Sequence, residues 1–211
     1  MNTFPYRLHS CKRLLFIIFL SMIACNTAVA NPAPASLPYR TDVIRNARIE
    51  WGINAPIADF AAQFHQESSW IPSAMSPQGA QGLAQFIPST ARWFSNMIPA
   101  LRANQPFNPS WGIRALISYD RWLWWRIQAA NDCEQMAMTL SAYNGGLKWV
   151  QRDQKLAVQK ELDHLRWFKQ VETVNAGRSQ ANWRENRHYP QRILHTLAPR
   201  YLLWGGSYCV E

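Results

Sequence analysis

From Tyr39 to the C-terminus, apolar residues recur three and four apart, and no stretch alternates apolar with polar residues as a strand does. That period confines the chain to helices packed on helices, so the fold class expected is all-α, with a single domain over residues 41–211. The clearest stripe is Ile57, Phe60, Ala61 and Phe64, one buried helix face with Asn54 as its expected cap and Pro56 in its first turn. Ser73 to Gly82 is turn-rich, with Gly79 and Gly82 free to take backbone angles that other residues resist. Pro88-Ser89-Thr90-Ala91 reads as another helix start. Further helices are expected from Ser110 to Ala129, from Asp132 to Tyr143 with Gly145-Gly146 as the stop, from Lys155 to Phe168, and from Arg187 to Leu203. Residues 31–40, which open on the Pro/Ala-rich NPAPASLP, read as an extended leader. Apolar residues make up 48% of the chain, too many for a disordered segment. The eleven Trp suggest a dense core, a stacking surface, or both.

The first 30 residues read as an export signal. Arg7, Lys12 and Arg13 form a basic head, Leu14 to Ala24 an apolar run, and Ala28-Val29-Ala30 a small-x-small cleavage site. The run has eleven residues, whereas a membrane-spanning helix needs about 20. An uncleaved anchor is one alternative. A lipidated Cys25 is another, because Met22-Ile23-Ala24-Cys25 loosely resembles a lipobox with Met where Leu is usual. Cleavage after Ala30 removes three basic residues and no acid, taking the net charge from +9 to +6. Such a chain suits nucleic acid, anionic lipid or an anionic wall polymer, and charge does not choose among them. Cleavage also removes Cys11 and Cys25. The remaining Cys133 and Cys209, in an oxidising compartment, are expected to form one disulfide.

The chemistry concentrates after the first stripe. Glu67 sits where an apolar helix ends and a polar, Gly-rich turn begins, with Phe64 and Trp70 as sequence neighbours. Such surroundings raise a carboxyl pKa and keep it protonated as a general acid. No other acid lies between Glu67 and Asp120. A glycosidase that works with two carboxylates would draw its second from elsewhere, with Asp59, Asp120 and Glu185 as the candidates. Taken alone, a single Glu at a helix end is more simply a solvated surface residue.

The surrounding pattern is more specific. Residues 67–91 resemble the signature of the soluble lytic transglycosylase family, E-S-x-x-x-P-x-A-x-S-x-x-G-A-x-G-L-M-Q-x-x-P-x-T-A. They match at Glu67, Ser68, Pro72, Ala74, Ser76, Gly79, Ala80, Gly82, Leu83, Gln85, Pro88, Thr90 and Ala91. Ala84 stands where the family has a Met that lines the groove, which implies an altered subsite shape. Ala142-Tyr143-Asn144-Gly145-Gly146 is similar to the family's A-Y-N-x-G motif. Glu185-Asn186-Arg187-His188-Tyr189-Pro190-Gln191-Arg192-Ile193-Leu194 is similar to its E-T-R-x-Y-V-x-x-I/V-L motif, with Pro190 in place of Val. Between the last two motifs, residues 148–182 form a longer, charged insertion than compact members carry.

The resemblance implies a lysozyme-like α-helical domain in the periplasm that acts on peptidoglycan glycan strands and needs no cofactor. It implies cleavage between N-acetylmuramic acid and N-acetylglucosamine without water, the muramic 6-hydroxyl attacking its own anomeric carbon to leave a 1,6-anhydro end. Glu67 would be both acid and base. Ser76, Gln85, Tyr143, Asn144 and Glu185 would contact substrate or shape the site, and for Glu185 an ordering salt bridge is equally compatible. Relatives of this size also imply a partner, a conjugation or secretion machine that needs the wall opened. Two alternatives share the same residues: a goose-type-lysozyme-like hydrolase, and a wall-binding scaffold without turnover.

Other features point elsewhere only weakly. His65-Gln66-Glu67 lacks the H-E-x-x-H spacing of a metal site, so no metal is expected. Trp122, Trp124 and Trp125 with Arg121 and Arg126 read as core packing with one exposed ring rather than a nucleic-acid stripe. N-terminal sequencing of the exported protein is expected to begin at Asn31; a start at lipidated Cys25 would make it a membrane-anchored protein instead.

Overall fold

The computed structural model describes Met1 and residues 31–210; the stretch read as an export signal, with Cys11 and Cys25, lies outside the described residues. Among those residues there are seven α-helices and no strands, only two isolated bridges within the Gly-rich turn. The helices are α1 (Arg40–Trp51), α2 (Ile57–Ser68), α3 (Pro88–Met97), α4 (Pro109–Trp124), α5 (Asp132–Gly145), α6 (Leu147–Gln159) and α7 (Gln180–Gln191). No described helix is long and apolar enough to cross a membrane.

The α2 helix is central. Ile57, Phe60 and Phe64 are fully or nearly fully buried, each contributing roughly 1.5–3 kcal/mol on transfer from water. It packs against α1 and against the C-terminal turns Arg192–Leu197 and Ala198–Trp204. Its N-terminus receives the C-terminal tail: Ala58 N donates to Gly206 O at 3.0 Å, and Tyr208 N to the buried Asp59 at 3.0 Å. The Cys133–Cys209 disulfide ties that tail to the start of α5. A loop of that size, 76 residues in separation, contributes about 4 kcal/mol by chain entropy.

Some elements differ from the sequence expectation. The leader is not extended: Pro34–Tyr39 forms a 3-10 helix leading directly into α1, a helix that no strong stripe announced. Asn54 is exposed and caps nothing; Pro56 holds the cap position of α2. The α4 helix stops at Trp124, short of Ala129, while Asn108 caps its start by accepting from Ser110 N and Trp111 N. Gly145 closes α5 and Gly146 breaks the chain direction, so α6 starts at Leu147 and ends at Gln159 rather than covering 155–168. Beyond it Glu161 and Lys169 take left-handed angles, and the buried carboxylate of Glu134 accepts from Trp167 N and Phe168 N at 2.7 and 3.0 Å, fixing an irregular loop. The last long helix begins at Gln180, capped by Ser179, and Pro190 lies near its end. Proline has no N–H to donate, and past it the helix loosens into a π turn. Of the Trp run on α4, Trp124 packs on Trp51 and Tyr208, Trp122 stacks on Tyr119, and Trp125 is the exposed ring.

The turn after α2 depends on close backbone approach. Gly82 has φ +73, and a Cβ there would meet Pro106 O at 1.8 Å; Gly79 has φ +80 but open space around it. Gly82→Ala is therefore expected to cost at least about 2 kcal/mol and Gly79→Ala about 1 kcal/mol. Chemical denaturation of both variants measures the difference, and equal losses would show that backbone angle alone governs this turn.

Candidate active site

Two consecutive left-handed residues, Ser69 (φ 51) and Trp70 (φ 68), turn the chain sharply off the end of α2. Neither is glycine, so the conformation is held from outside. Trp70 is buried, its indole N–H donates to Tyr201 Oη at 2.9 Å, and Tyr39, Phe64 and Trp204 pack on its ring. This anchor fixes Glu67, one turn earlier, at the floor of a cleft of about 910 Å³. Residues 76–87 of the turn, Tyr119 and Tyr143, and residues between 145 and 189 line it.

Glu67 is half-buried, and Tyr189 Oη donates a hydrogen bond to its Oε1. Burial lifts its pKa to about 8; the Tyr189 hydrogen bond opposes that rise and the Glu185 carboxylate adds to it. Glu67 is thus protonated at neutral pH while its oxygens face the cleft. Of the other candidate carboxylates, Asp59 lies two turns back on α2, roughly 12 Å along the helix, occupied by Tyr208 N. Asp120 is fully buried beneath the site, and burial raises its pKa well above the usual range. Among the described residues its carboxylate accepts one hydrogen bond, from Gln63 Nε2 at 3.5 Å. Glu185 lines the cleft but is exposed. None of the three shares a hydrogen bond with Glu67.

The other residues singled out in the sequence divide by what their side chains already do. Ser76, Gln85, Tyr143, Asn144 and Glu185 all line the cleft with Glu67. Ser76 Oγ accepts from Ala80 N at 3.1 Å, and Gln85 Nε2 donates to Ala74 O and Gly82 O at 3.2 and 2.9 Å. Both therefore hold the Gly-rich turn in shape. Tyr143 Oη donates to Ala84 O at 2.6 Å, joining α5 to that turn across the cleft floor. Asn144 Nδ2 donates weakly to Glu185 at 3.5 Å, while Asn186 Nδ2 reaches Ser141 O and Asn144 Oδ1 at 2.9 and 3.0 Å, binding α7 to α5. Glu185 has no cation within salt-bridge distance among the described residues, so the ordering salt bridge is not formed. His65, beside the site in sequence, shares a 2.8 Å hydrogen bond with Tyr201.

Tyr189 is the functional residue that sequence reasoning passed over, although it stands inside the third motif. Trp149 and Arg178 also line the cleft and had no local signal, because the insertion that carries them reaches the site only through tertiary packing.

The chain belongs to the transglycosylase SLT domain family, whose family model matches residues 44–166. It is 29% identical over 125 residues to the membrane-bound lytic murein transglycosylase F of Pasteurella multocida (strain Pm70), a match covering 59% of this chain and 22% of that protein. In fold it is similar to the 70-kDa soluble lytic transglycosylase of Escherichia coli, with a TM-score of 0.54 at 21% identity over 80% of this chain and 25% of that one. The complex of a 70-kDa soluble lytic transglycosylase with bulgecin A gives 0.53 at 22% identity, over 84% of this chain and 26% of the other. The chain thus spans about a quarter of the length of the relatives it matches, and it has their all-α, lysozyme-like fold.

Because the Tyr189 hydrogen bond favours the carboxylate form of Glu67, Tyr189→Phe is expected to move the alkaline limb of activity to higher pH and to lower the rate. The pH–rate profile of the variant checks this. A lower rate with an unmoved limb would mean that Tyr189 serves only packing.

Proposed function

We propose that this chain is a peptidoglycan lytic transglycosylase that cuts the bond between N-acetylmuramic acid and N-acetylglucosamine and leaves a 1,6-anhydro end. The observation that carries the reading is one carboxyl in a large cleft whose pKa burial lifts to about 8, so that it holds a proton at neutral pH, with the Tyr189 hydroxyl placed to stabilise its carboxylate. A hydrolase that inverts or retains with two carboxylates needs both flanking the bond. An intramolecular attack needs one. Glu67 gives its proton to the leaving oxygen, and the resulting carboxylate, stabilised by Tyr189, then takes the proton of the 6-hydroxyl as that oxygen closes on the anomeric carbon. The attacking hydroxyl belongs to the substrate, so no second reactant has to be captured.

Membership in the SLT family and the likeness to lytic transglycosylases support the same reading. A periplasmic location and a role in opening the wall for a conjugation or secretion apparatus remain part of the proposal and rest on the export-signal pattern and the small size of the domain.

Muropeptides released from purified sacculi and weighed by mass spectrometry test this directly. The product is expected to be lighter by one water than the hydrolytic one. Glu67→Gln keeps the shape but removes the transferable proton, and is expected to lower product by about 10⁴-fold or more, since one residue serves both half-reactions. Glu185→Gln is expected to cost less. Hydrated ends would identify a goose-type-lysozyme-like hydrolase; no release by folded wild-type protein would identify a scaffold.

A further inference from the structure

The α1 helix is apolar on two sides. Val43, Ala47 and Trp51 are buried in the core, where α1 packs on α2 and α4. Turned to solvent are Leu37 in the turn before α1, Ile49 within it and Ile53 just beyond it, which are 58%, 68% and 78% exposed. Single exposed aliphatic side chains are ordinary, but these recur along one segment and are interleaved with arginines. Arg40, Thr41, Ile44, Arg45, Arg48 and Ile49 surround an open recess of about 560 Å³, and none of them lines the cleft that holds Glu67.

The surface is basic as well as apolar. Asp42 pairs with Arg45 at 2.6 Å, and neither it nor Glu50, the other acid of α1, lines the recess. Exposed Arg40 and Arg48 have no carboxylate within salt-bridge distance among the described residues. Arg40 Nη2 donates to Leu203 O at 3.3 Å, which sets Leu203, itself 76% exposed, at the end of the same surface. Arg200, three residues earlier in that C-terminal turn, donates through Nε to Asn31 O at 3.1 Å. The chain before Asn31, whose sequence carries the apolar run Leu14 to Ala24, therefore joins the described residues beside this surface. Guanidinium groups pair with phosphate, and aliphatic side chains gain by leaving water. A dissolved polyanion would engage the arginines and leave Leu37, Ile49 and Ile53 wet, whereas a lipid surface offers phosphates and an acyl boundary together.

We propose that the exposed side of α1 is a membrane-docking face, on which Arg40 and Arg48 meet the phosphates of anionic phospholipids while Leu37, Ile49 and Ile53 enter the acyl boundary of the bilayer. The face shares no residue with the cleft, so docking does not occupy the cleft. The inference stands apart from the reaction assigned to Glu67.

Co-sedimentation of the exported protein with vesicles tests this, using phosphatidylcholine alone and phosphatidylcholine containing phosphatidylglycerol. Binding to the anionic vesicles is expected to be at least about tenfold tighter and to weaken as salt is raised. The double variant Arg40→Gln, Arg48→Gln is expected to lose about fivefold in affinity for each arginine removed. Ile49→Gln leaves the charge unchanged and is expected to lose roughly tenfold at the same salt. All three positions are exposed, so the variants are expected to fold, and circular dichroism checks this. Equal binding to both kinds of vesicle, or unchanged binding by either variant, would overturn the proposal. So would release from anionic vesicles by polyglutamate at matched charge, which would identify an acidic protein as the partner, or by inorganic phosphate, which would identify a simple anion site.

Discussion

The structure depends on one carboxyl being held out of water at the end of one helix. Burial alone would leave Glu67 an inert neutral acid, and exposure alone would leave it ionised. The site lies between these limits because two different surroundings meet at the end of α2. Behind Glu67 is the apolar packing of Phe64 and Trp70 together with the buried Asp120, whose pKa burial raises well above the ordinary range. In front are the cleft and the Tyr189 hydroxyl, which keeps the carboxylate accessible once the proton leaves. The same burial carries a stability consequence. Because the folded-state pKa of about 8 exceeds the ordinary value of 4.5, the native state holds a proton that the unfolded chain has released. The stability this gives is full below about pH 4.5 and is lost as pH rises through 8.

The rest of the fold keeps that end of α2 still. Trp70 locks two left-handed residues through the Tyr201 hydroxyl, and the C-terminal tail closes on the other end of the same helix through Asp59 and the disulfide. Across the cleft, Asn186 ties α7 to α5, bringing Tyr189, Tyr143 and Glu185 to one face. Asp153, shared between Arg178 and Arg187, does the equivalent for the far wall. A buried ion network of this kind is weak evidence for stability in itself, since desolvation offsets much of the attraction. What it does is fix the position of a segment that has little regular structure.

The fold class and the central helix were legible because the 57–64 stripe is strong, and the acid was legible because it ends that stripe next to a turn whose glycines are needed. Gly82 explains why: only glycine fits under Pro106 at a positive φ. Errors clustered where tertiary contacts outweighed local pattern. Residues 160–168 carry helix-compatible periodicity, yet Glu134 captures two of their backbone N–H groups and the helix does not form. The α1 helix was missed because its apolar positions are few and its exposed face carries Ile49 as well as arginines. The resemblance leaves Ser76 and Gln85 to contact substrate or to shape the site, and the structure gives their polar atoms to the turn, a distinction that depends on side-chain direction and leaves no trace in spacing. Tyr189 stands at the Tyr of the third motif, but its reach to Glu67, 122 residues earlier, is a tertiary contact that the motif does not state.

The account stands on the protonation state of Glu67, and direct titration of that group tests it. Carbon-13 NMR of protein labelled at the glutamate side-chain carboxyls, with the Glu67→Gln variant to assign the resonance, follows the group through a pH series. The account predicts a carboxyl that titrates near pH 8. A Glu67 resonance that titrates near 4.5, the ordinary glutamate value, would mean that the residue is ionised at neutral pH and cannot donate the first proton.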